Sequence, residues 1–456
     1  MSTIAQKIQT TIHNHHLMQH GAPVLVACSG GIDSMFLCEI LQELNYTFGI
    51  AHVNFGLRGN ESEGDAAFVK QYAEKNGILI HSIKFDTLDY KKKTGVSTQM
   101  AARELRYTWF EQIRKENGYH CIVTAHHLDD QIETVILNLA KGSGIKGIRG
   151  MLPKSGHVVR PLLAITKAEI TAYMQKNEIE YCEDSSNASD SYQRNQIRHH
   201  LLPFFTQLNE NFKENFADTV SYMRDYELLT DEYLQKLKKN GVSTKDGITE
   251  IKIGFIRSKQ YGKTLLYRIL AEFGFNTDQT NLIYQLIQSE NEISGKQFYT
   301  ANHRLVVDRK SILIVDKNIQ RDDYLQIDKF PFNLQFNNFK MEVKLIPIEK
   351  VNLKKSGNYA FFDASKIILP LLIRYPKTGD YFYPFGMSKP KSSEKTGKKK
   401  LSKYFKDEKL SLIEKENTPL LFSGDKLIWV IGQRTDDRFK ITDKTFSVLQ
   451  IKILKS

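Results

Sequence analysis

Six consecutive residues, Ser29, Gly30, Gly31, Ile32, Asp33 and Ser34, carry the sharpest chemical signal in this chain. They follow the apolar run Val24 to Ala27 and precede a helix-like stretch from Met35 to Leu44, so a buried strand, a glycine turn and a helix start meet at one place. Gly30 and Gly31 can take backbone angles closed to residues with side chains, which lets successive N–H groups converge on an anion at the positive end of a helix. Ser29 and Ser34 add hydroxyl donors. No lysine follows the glycines and the spacing is short, so this is not a Walker loop. A carboxylate beside phosphates is repelled unless a divalent cation lies between them, and Asp33 therefore points to Mg²⁺ carried on the phosphates of a nucleotide. The same residues would also serve a plain tight turn with an aspartate capping the helix.

Other groups could act beside such a loop. Asp130 and Glu133 stand three apart at a predicted helix start and can face one cleft, although acidic residues are favoured in a first helical turn without any catalytic task. His126 and His127 are adjacent, point in different directions and have no third ligand spaced with them, which favours local hydrogen bonding or substrate contact over a metal site. Arg103, Arg106 and Arg194 suit anion binding because a guanidinium stays charged and grips phosphate or carboxylate bidentately. For Arg103 and Arg106 the ordinary alternative is surface pairing, with Glu104 beside them. Residues 389–406, KPKSSEKTGKKKLSKYFK, form a basic block ending in Tyr404 and Phe405, and read either as a nucleic-acid backbone surface or as a solvated loop.

These groups need a frame to hold them. From Val24 to about Ala140 strand-like and helix-like segments alternate, which predicts a parallel sheet covered by helices on both faces. SGGIDS, HVNFGLR and TAHHLDD all fall at predicted strand carboxyl ends, where such sheets bind ligands. After Pro203 the pattern turns helical and strongly charged, as a connector would. A small domain follows with core candidates Leu265, Leu266, Ile269, Leu270, Ile283, Leu286 and Ile287 and the strands RLVVD and SILIVD. The passage around residues 319–358 reads as polar and strand-poor, and a third segment opens near Ile367. With 456 residues, two or three domains are expected, placed at 1–216, 217–325 and 326–456. The net charge of +12 favours a polyanionic partner, nucleic acid first. Four scattered cysteines without a CxxC pair suggest neither disulfides nor a zinc or iron–sulfur site and fit a reducing cytoplasm. No apolar run reaches membrane-spanning length, so a soluble, untargeted protein is expected.

In order along the chain these segments resemble the tRNA(Ile)-lysidine synthetase family within the ATP pyrophosphatase superfamily. The resemblance rests on SGGIDS, HVNFGLR (His52 to Arg58), AARELRYTWF (Ala101 to Phe110), TAHHLDDQIET (Thr124 to Thr134), GSGIKGIRG (Gly142 to Gly150) and RPLL (Arg160 to Leu163). DSSN (Asp184 to Asn187), RNQIR (Arg194 to Arg198), RYPKTGD (Arg374 to Asp380), KKLSKYF (Lys399 to Phe405) and WVIGQR (Trp429 to Arg434) complete it, so nearly the whole chain is covered. Phe55 stands where the family commonly has His, and Ile148 where it commonly has Leu.

The resemblance implies an α/β fold: a Rossmann-like parallel sheet of the adenine nucleotide alpha hydrolase kind, a mainly helical middle domain and a small α+β C-terminal domain that binds tRNA. It implies a carbon–nitrogen ligase that adenylates C2 of the wobble cytidine in a CAU-anticodon isoleucine tRNA and then attaches free L-lysine. ATP would sit on Ser29, Gly30, Gly31, Ile32, Asp33 and Ser34, with Mg²⁺ on Asp33 and Asp130. Asp33, Asp130, Glu133 and Arg194 would be catalytic, while Arg103, Arg106, Lys398, Lys399, Lys400 and Lys403 would contact tRNA. A cytoplasmic monomer or homodimer without membrane attachment is expected. A tRNA thiolase with the same loop would be expected to show paired cysteines, and a GMP synthetase-like enzyme a glutaminase domain that the residues before SGGIDS leave no room for. A non-catalytic RNA-binding relative would be expected to lose the acidic residues Asp33, Asp129, Asp130 and Glu133, which are all present.

Overall fold

The computed structural model describes residues 1–56, 59–183, 193–289, 294–318, 322–330, 333–351, 358–386 and 397–454. The motif DSSN, Leu57 and Arg58 of HVNFGLR, and residues 389–396 of the basic block lie outside the described residues. The chain divides into two compact units, Met1–Glu232 and Tyr233–Ser456.

The first unit runs α1 (Thr3–Asn14), β1 (Val24–Ala27), α2 (Ile32–Glu43), β2 (Phe48–Asn54), α3 (Asn60–Lys75), β3 (Ile80–Lys84), α4 (Thr87–Thr94), α5 (Thr98–Glu116) and β4 (Ile122–Val123). It continues with α6 (Leu128–Ala140), α7 (Ile145–Ile148), β5 (Lys154–Ser155), β6 (Val158–Val159), α8 (Lys167–Lys176), α9 (Gln193–Gln196), a π-helical turn (Ile197–Leu201) and α10 (Leu202–Leu208). The 27-residue helix α11 (Phe212–Lys238) crosses the division between the units. The sheet order is β3-β2-β1-β4-β6-β5, with all neighbours parallel except the final pair. The short hairpin β5–β6 at the edge had no counterpart in the sequence reading.

β1 explains why this sheet is buried on both faces. Val24 and Val26 join a cluster with Ile8, Phe36 and Leu37, while Leu25 joins Ala51, Trp109, Phe110 and Ile122 on the opposite face. Side chains of a strand alternate between faces, so only a continuously apolar run satisfies helices packed on both sides. Each fully buried Val or Leu contributes about 1.5–3 kcal/mol. β1 sits centrally, between β2 and β4, and the connections leave it in opposite directions. That reversal opens a crevice beyond the carboxyl ends of β1 and β4.

In the second unit a five-stranded antiparallel sheet runs Val242–Lys245, Ile248–Lys252, Ser311–Asp316, His303–Val307, Lys296–Tyr299. Helices Gly262–Leu270 and Thr277–Gln288 cover it with Leu265, Leu266, Ile269, Leu270, Ile283 and Ile287, all buried, while Leu286 is half-buried. The remainder folds into two four-stranded sheets and a two-stranded ribbon. Here the strand-poor expectation for residues 319–358 is corrected: Tyr324–Ile327, Asn333–Phe336 and Phe339–Pro347 are strands. They alternate polar and apolar residues, burying Ile327, Phe336, Met341 and Val343 on one face. The exposed face carries the Lys, Gln and Glu residues that made the passage look polar. Among the described residues no helix is long and apolar enough to cross a membrane.

Candidate active site

Three loops converge at the crevice. Cys28 to Ser34 follow β1, Phe55 follows β2, and Thr124 to Asp130 follow β4 and open α6. Together with Arg106 and Tyr107 from α5 and Arg194 from α9 they line a cavity of ≈ 290 Å³. The sequence reading placed SGGIDS, HVNFGLR and TAHHLDD at strand ends, and the topology brings those ends together.

The loop after β1 is held by its own hydroxyls. Ser34 Oγ donates to the Gly31 carbonyl at 2.9 Å and accepts the Ser29 N–H at 3.2 Å. Gly30 has φ +90°, a conformation that favours glycine, and a Cβ there would press on Val69 Cγ2 at 3.1 Å. The Gly30 carbonyl accepts the Cys182 N–H at 2.9 Å, and Gly31 forms a parallel bridge with Cys182. Gly31 caps α2, which places the helix N-terminus and Asp33 in its first turn beside the cavity.

The electrostatic centre is an alternation of charges. Asp33 accepts from the Lys167 ammonium at 2.5 Å, and its other oxygen lies 3.7 Å from His127 Nε2. The same Nε2 is 3.6 Å from Asp130, whose carboxylate also accepts the His127 backbone N–H at 3.1 Å. Burial would raise the Asp33 pKa, but the His127 and Lys167 interactions outweigh it and hold the carboxyl below its usual range. Burial would likewise lower His127, yet Asp33, Asp130 and Asp129 raise it, favouring the imidazolium. The adjacent His126 has the opposite fate: burial takes it down to about 4, and its Nδ1 pairs with Thr124 Oγ1 at 2.9 Å.

Glu133 lies one turn deeper on α6 and is 0% exposed. Arg198 Nε donates to it at 2.8 Å, Arg194 Nε is 3.9 Å from its second oxygen, and Arg194 Nη2 donates to Thr134 at 2.9 Å. Burial pushes the Glu133 carboxyl up against the pull of Arg198. Arg198 also approaches Asp130 at 3.8 Å, so one guanidinium spans both carboxylates. Asp129, 3.9 Å from His127 Nδ1, also accepts the Lys167 backbone N–H and the Lys213 ammonium, fixing α8 and α11 to the start of α6. The glycines of GSGIKGIRG close behind, where a Cβ on Gly150 would come within 2.7 Å of the Gln131 side chain.

Of the arginines expected to bind anions, Arg106 and Arg194 line the cavity, whereas Arg103 lies over the Tyr107 ring at 4.8 Å. Arg106 stacks over Phe55 at 5.0 Å, and both line the cavity wall. In the second unit, Lys399 pairs with Asp407 at 2.8 Å and Lys398 lies over Tyr381 at 3.7 Å, while Lys400 and Lys403 are exposed. Tyr404 and Phe405 are each 3% exposed inside a core cluster. The reading of these two rings as part of a nucleic-acid surface is therefore corrected: their apolar faces close the small domain rather than meet bases. Sequence reasoning passed over Lys167 and Arg198 as individual site residues. Lys167 opens α8 beneath a capping box formed by Thr166 and Glu169, a signal that marks the helix start but not what it faces.

Two carboxylates, Asp33 and Asp130, approach one ring nitrogen from either side. Among the described residues no group of three or more His, Cys, Asp or Glu side chains could hold a metal ion. A pair of carboxylates beside a phosphate-binding loop suits Mg²⁺, which takes one or two protein carboxylates and completes its octahedron with phosphate oxygens and water. Those two residues fit such an ion only in company with a nucleotide.

A strand, a glycine turn and a helix N-terminus at the switch point of a parallel sheet define a PP-loop nucleotide-binding protein, and residues 1–205 match the PP-loop domain family. Residues 244–317 match a TilS substrate binding domain and residues 371–451 a TilS substrate C-terminal domain. A tRNA(Ile)-lysidine synthase of Parabacteroides distasonis is 38% identical over 98% of this chain and 99% of its own length. That of Bacteroides thetaiotaomicron is 36% identical over 99% of this chain and 100% of its own. Among solved structures, a U34-tRNA thiolase from Methanococcus maripaludis aligns with a TM-score of 0.41 at 20% identity, over 48% of this chain and 77% of that one. The chain belongs to the tRNA(Ile)-lysidine synthase family, whose members are ligases.

Proposed function

We propose that this enzyme joins L-lysine to C2 of the wobble cytidine in a CAU-anticodon isoleucine tRNA, at the cost of ATP. The C2 oxygen attacks the α-phosphate, pyrophosphate leaves, and the lysine ε-amine then displaces AMP together with that oxygen. The modified base pairs with A instead of G, which changes codon reading from AUG to AUA and the identity of the tRNA from methionine to isoleucine. The observation that carries the reading is the full-length family relationship combined with an intact PP-loop at the sheet's switch point.

The C2 oxygen is a weak nucleophile, so the chain's task in the first step is alignment and charge neutralisation. Ser29 to Ser34 supply backbone N–H groups and hydroxyls for the phosphates. Asp33 and Asp130 would hold Mg²⁺, which would neutralise the leaving pyrophosphate. In this reading the His127 imidazolium, 3.7 Å from Asp33 and 3.6 Å from Asp130, orients both carboxylates. In this reading Arg194, on the cavity wall, grips the anionic substrate.

The second step needs a lysine amine without its extra proton, although a free ammonium has a pKa near 10.4. Desolvation in the cleft lowers that value, and in this reading Asp130, which lines the cavity, takes the proton. Glu133 has no exposed surface and acts through Arg198 and Arg194, as a positioning residue. Arg106 and the exposed lysines of the C-terminal domain contribute tRNA affinity in this scheme.

The test is incubation of the protein with ATP, Mg²⁺, radiolabelled lysine and unmodified CAU isoleucine tRNA, with elongator methionine tRNA as control. Label on the isoleucine tRNA alone, with AMP and pyrophosphate released, is expected. Pyrophosphate release that depends on tRNA but leaves no label on it would redirect the second step to another nucleophile.

A further inference from the structure

The turn that cradles phosphates carries a carboxylate and no cation of its own: between Ser29 and Ser34 the one charged side chain is Asp33. The cation comes from 134 residues further on, where Lys167 donates to Asp33 Oδ1 at 2.5 Å. The Lys167 backbone is fixed on two sides. Thr166 and Glu169 form a capping box at the start of α8, and the Lys167 N–H donates to Asp129 at 2.9 Å. The side chain is held less firmly: it is 39% exposed, and an ammonium has three donors, of which Asp33 takes one.

As a staple between α2 and α8 this ion pair is redundant. Ile170 and Met174 of α8 are buried in the cluster that holds Phe36 and Leu37 of α2, Phe36 meets the Tyr173 ring edge-on at 5.2 Å, and Tyr173 donates to Glu43 at 3.1 Å. With each side chain about a third exposed, the pair is of the kind that adds little to stability. Its position says more. Asp33 belongs to the phosphate turn, so phosphates on that turn lie within the sweep of a lysine that already reaches Asp33. Lys167 and a divalent cation also compete for the same carboxylate, and of the two cations beside it only Lys167 can give way, because His127 is buried and set between Asp33 and Asp130.

We propose that Lys167 is a substrate-contacting residue that changes partners: it leaves Asp33 to the nucleotide-borne Mg²⁺ and turns its ammonium to the β- and γ-phosphates, the part that departs as pyrophosphate. The ammonium keeps its protons throughout, and only the anion it faces changes. A compact charge on a flexible stem suits that exchange, which a guanidinium held bidentately does not. Lys167 thereby keeps divalent cations off Asp33 until phosphates arrive to receive the ammonium. It also supplies the leaving group with the positive charge that Walker loops take from their own lysine. This inference rests on the reading of Asp33 as a Mg²⁺ ligand.

The experiment uses the full chain with Lys167→Met, Asp33→Asn and the two combined. Binding of inorganic pyrophosphate in the presence of a chelator and binding of AMP are followed by calorimetry, and binding of Mn²⁺ alone by electron paramagnetic resonance. Lys167→Met is expected to bind pyrophosphate about tenfold more weakly than wild type and Mn²⁺ about tenfold more tightly, with AMP binding unchanged. AMP has no β- or γ-phosphate, so it reports that the site is still formed. In the Asp33→Asn background Lys167→Met should again weaken pyrophosphate binding about tenfold, because the contact is with the phosphates and not through Asp33. Equal pyrophosphate affinity of Asp33→Asn and the double variant would overturn the proposal. So would a parallel loss of AMP binding in Lys167→Met, which is the behaviour of a plain staple, or Mn²⁺ binding that Lys167→Met leaves unchanged. The metal reading is scored separately: Asp33→Asn that binds ATP with Mn²⁺ as tightly as wild type would sink that reading and leave the chelated pyrophosphate comparison intact.

Discussion

Replacing Arg198 with alanine isolates what holds the floor of the cleft together. Glu133 has no exposed surface, and its nearest cation, Arg198 Nε at 2.8 Å, would be gone, leaving Arg194 at 3.9 Å. A buried carboxylate stripped of its partner costs about 3–5 kcal/mol if it stays charged. It can escape by taking a proton, and from an ordinary glutamate value near 4.3 that costs about 3.7 kcal/mol at pH 7 and about 1 kcal/mol at pH 5. Protonation therefore caps the penalty, and the cap falls with pH. The sign follows from linkage. Burial already raises Glu133 in the folded protein, so the folded state binds the proton more tightly than the unfolded chain, and stability declines as pH rises between the two values. Losing Arg198 raises the folded value further and extends that decline toward neutrality. For a unit of this size about 2–4 °C is lost per kcal/mol, which predicts a fall in the melting temperature of the first unit of about 7–15 °C at pH 7 and about 2–4 °C at pH 5. Trp109 lies in the first unit and Trp429 in the second, so a Trp429→Phe background lets fluorescence follow the first alone. Adding Glu133→Gln removes the buried charge and should restore most of the loss at pH 7. Equal destabilisation at both pH values, or no recovery in the double variant, would refute the electrostatic account.

Three further outcomes are expected. Gly30→Ala must adopt φ near +90° and place its Cβ 3.1 Å from Val69, at a strain of about 1–3 kcal/mol, and should abolish nucleotide binding in a titration while the sheet's circular dichroism persists. His127 is raised in the folded protein, so its ion pairs stabilise fully below the unfolded value near 6.5 and fade as pH climbs through the higher folded value. His127→Gln should accordingly flatten the stability profile above neutrality, and a wild-type-like profile in that variant would count against the bridge between Asp33 and Asp130. Neutralising Lys398, Lys399, Lys400 and Lys403 together should make the logarithmic salt dependence of tRNA binding shallower by about 2–2.7, since Lys399 is already engaged by Asp407 and each free phosphate contact accounts for roughly 0.7–0.9. An unchanged slope would remove that stretch from the tRNA contact surface.

How much of this was legible in the sequence depends on distance along the chain. SGGIDS, the apolar run of β1 and the alternation of strands and helices are local, and each can be read in a window of a few residues. The convergence of Asp33, His127 and Asp130 followed from topology, since all three belong to turns after strands. Lys167 meets Asp33 from 134 residues away, and no local pattern states that pairing. Arg198 stood in a quoted motif, four residues after Arg194 and so on the same helical face, but nothing local to that motif says that the face meets Glu133, 65 residues earlier. In the second unit, period-two burial in short strands was masked by the lysines and glutamates of their exposed face. Tyr404 and Phe405 were misjudged for a related reason: neighbouring lysines coloured the reading of rings whose own burial is set by residues such as Phe382 and Leu420.

The bridge from Gly31 to Cys182 has a consequence for how the protein is made. Chains emerge from the ribosome amino end first, and the phosphate-binding turn is written within the first 34 residues. Its backbone is nonetheless secured by Cys182, its aspartate by Lys167, and the carboxylates at its side by Arg198. A nascent chain of 150 residues would carry the entire signature and none of these three supports. The capacity to handle ATP is therefore acquired late in translation, when nearly all of the first unit has been synthesised, so truncated products would carry the motif without the activity.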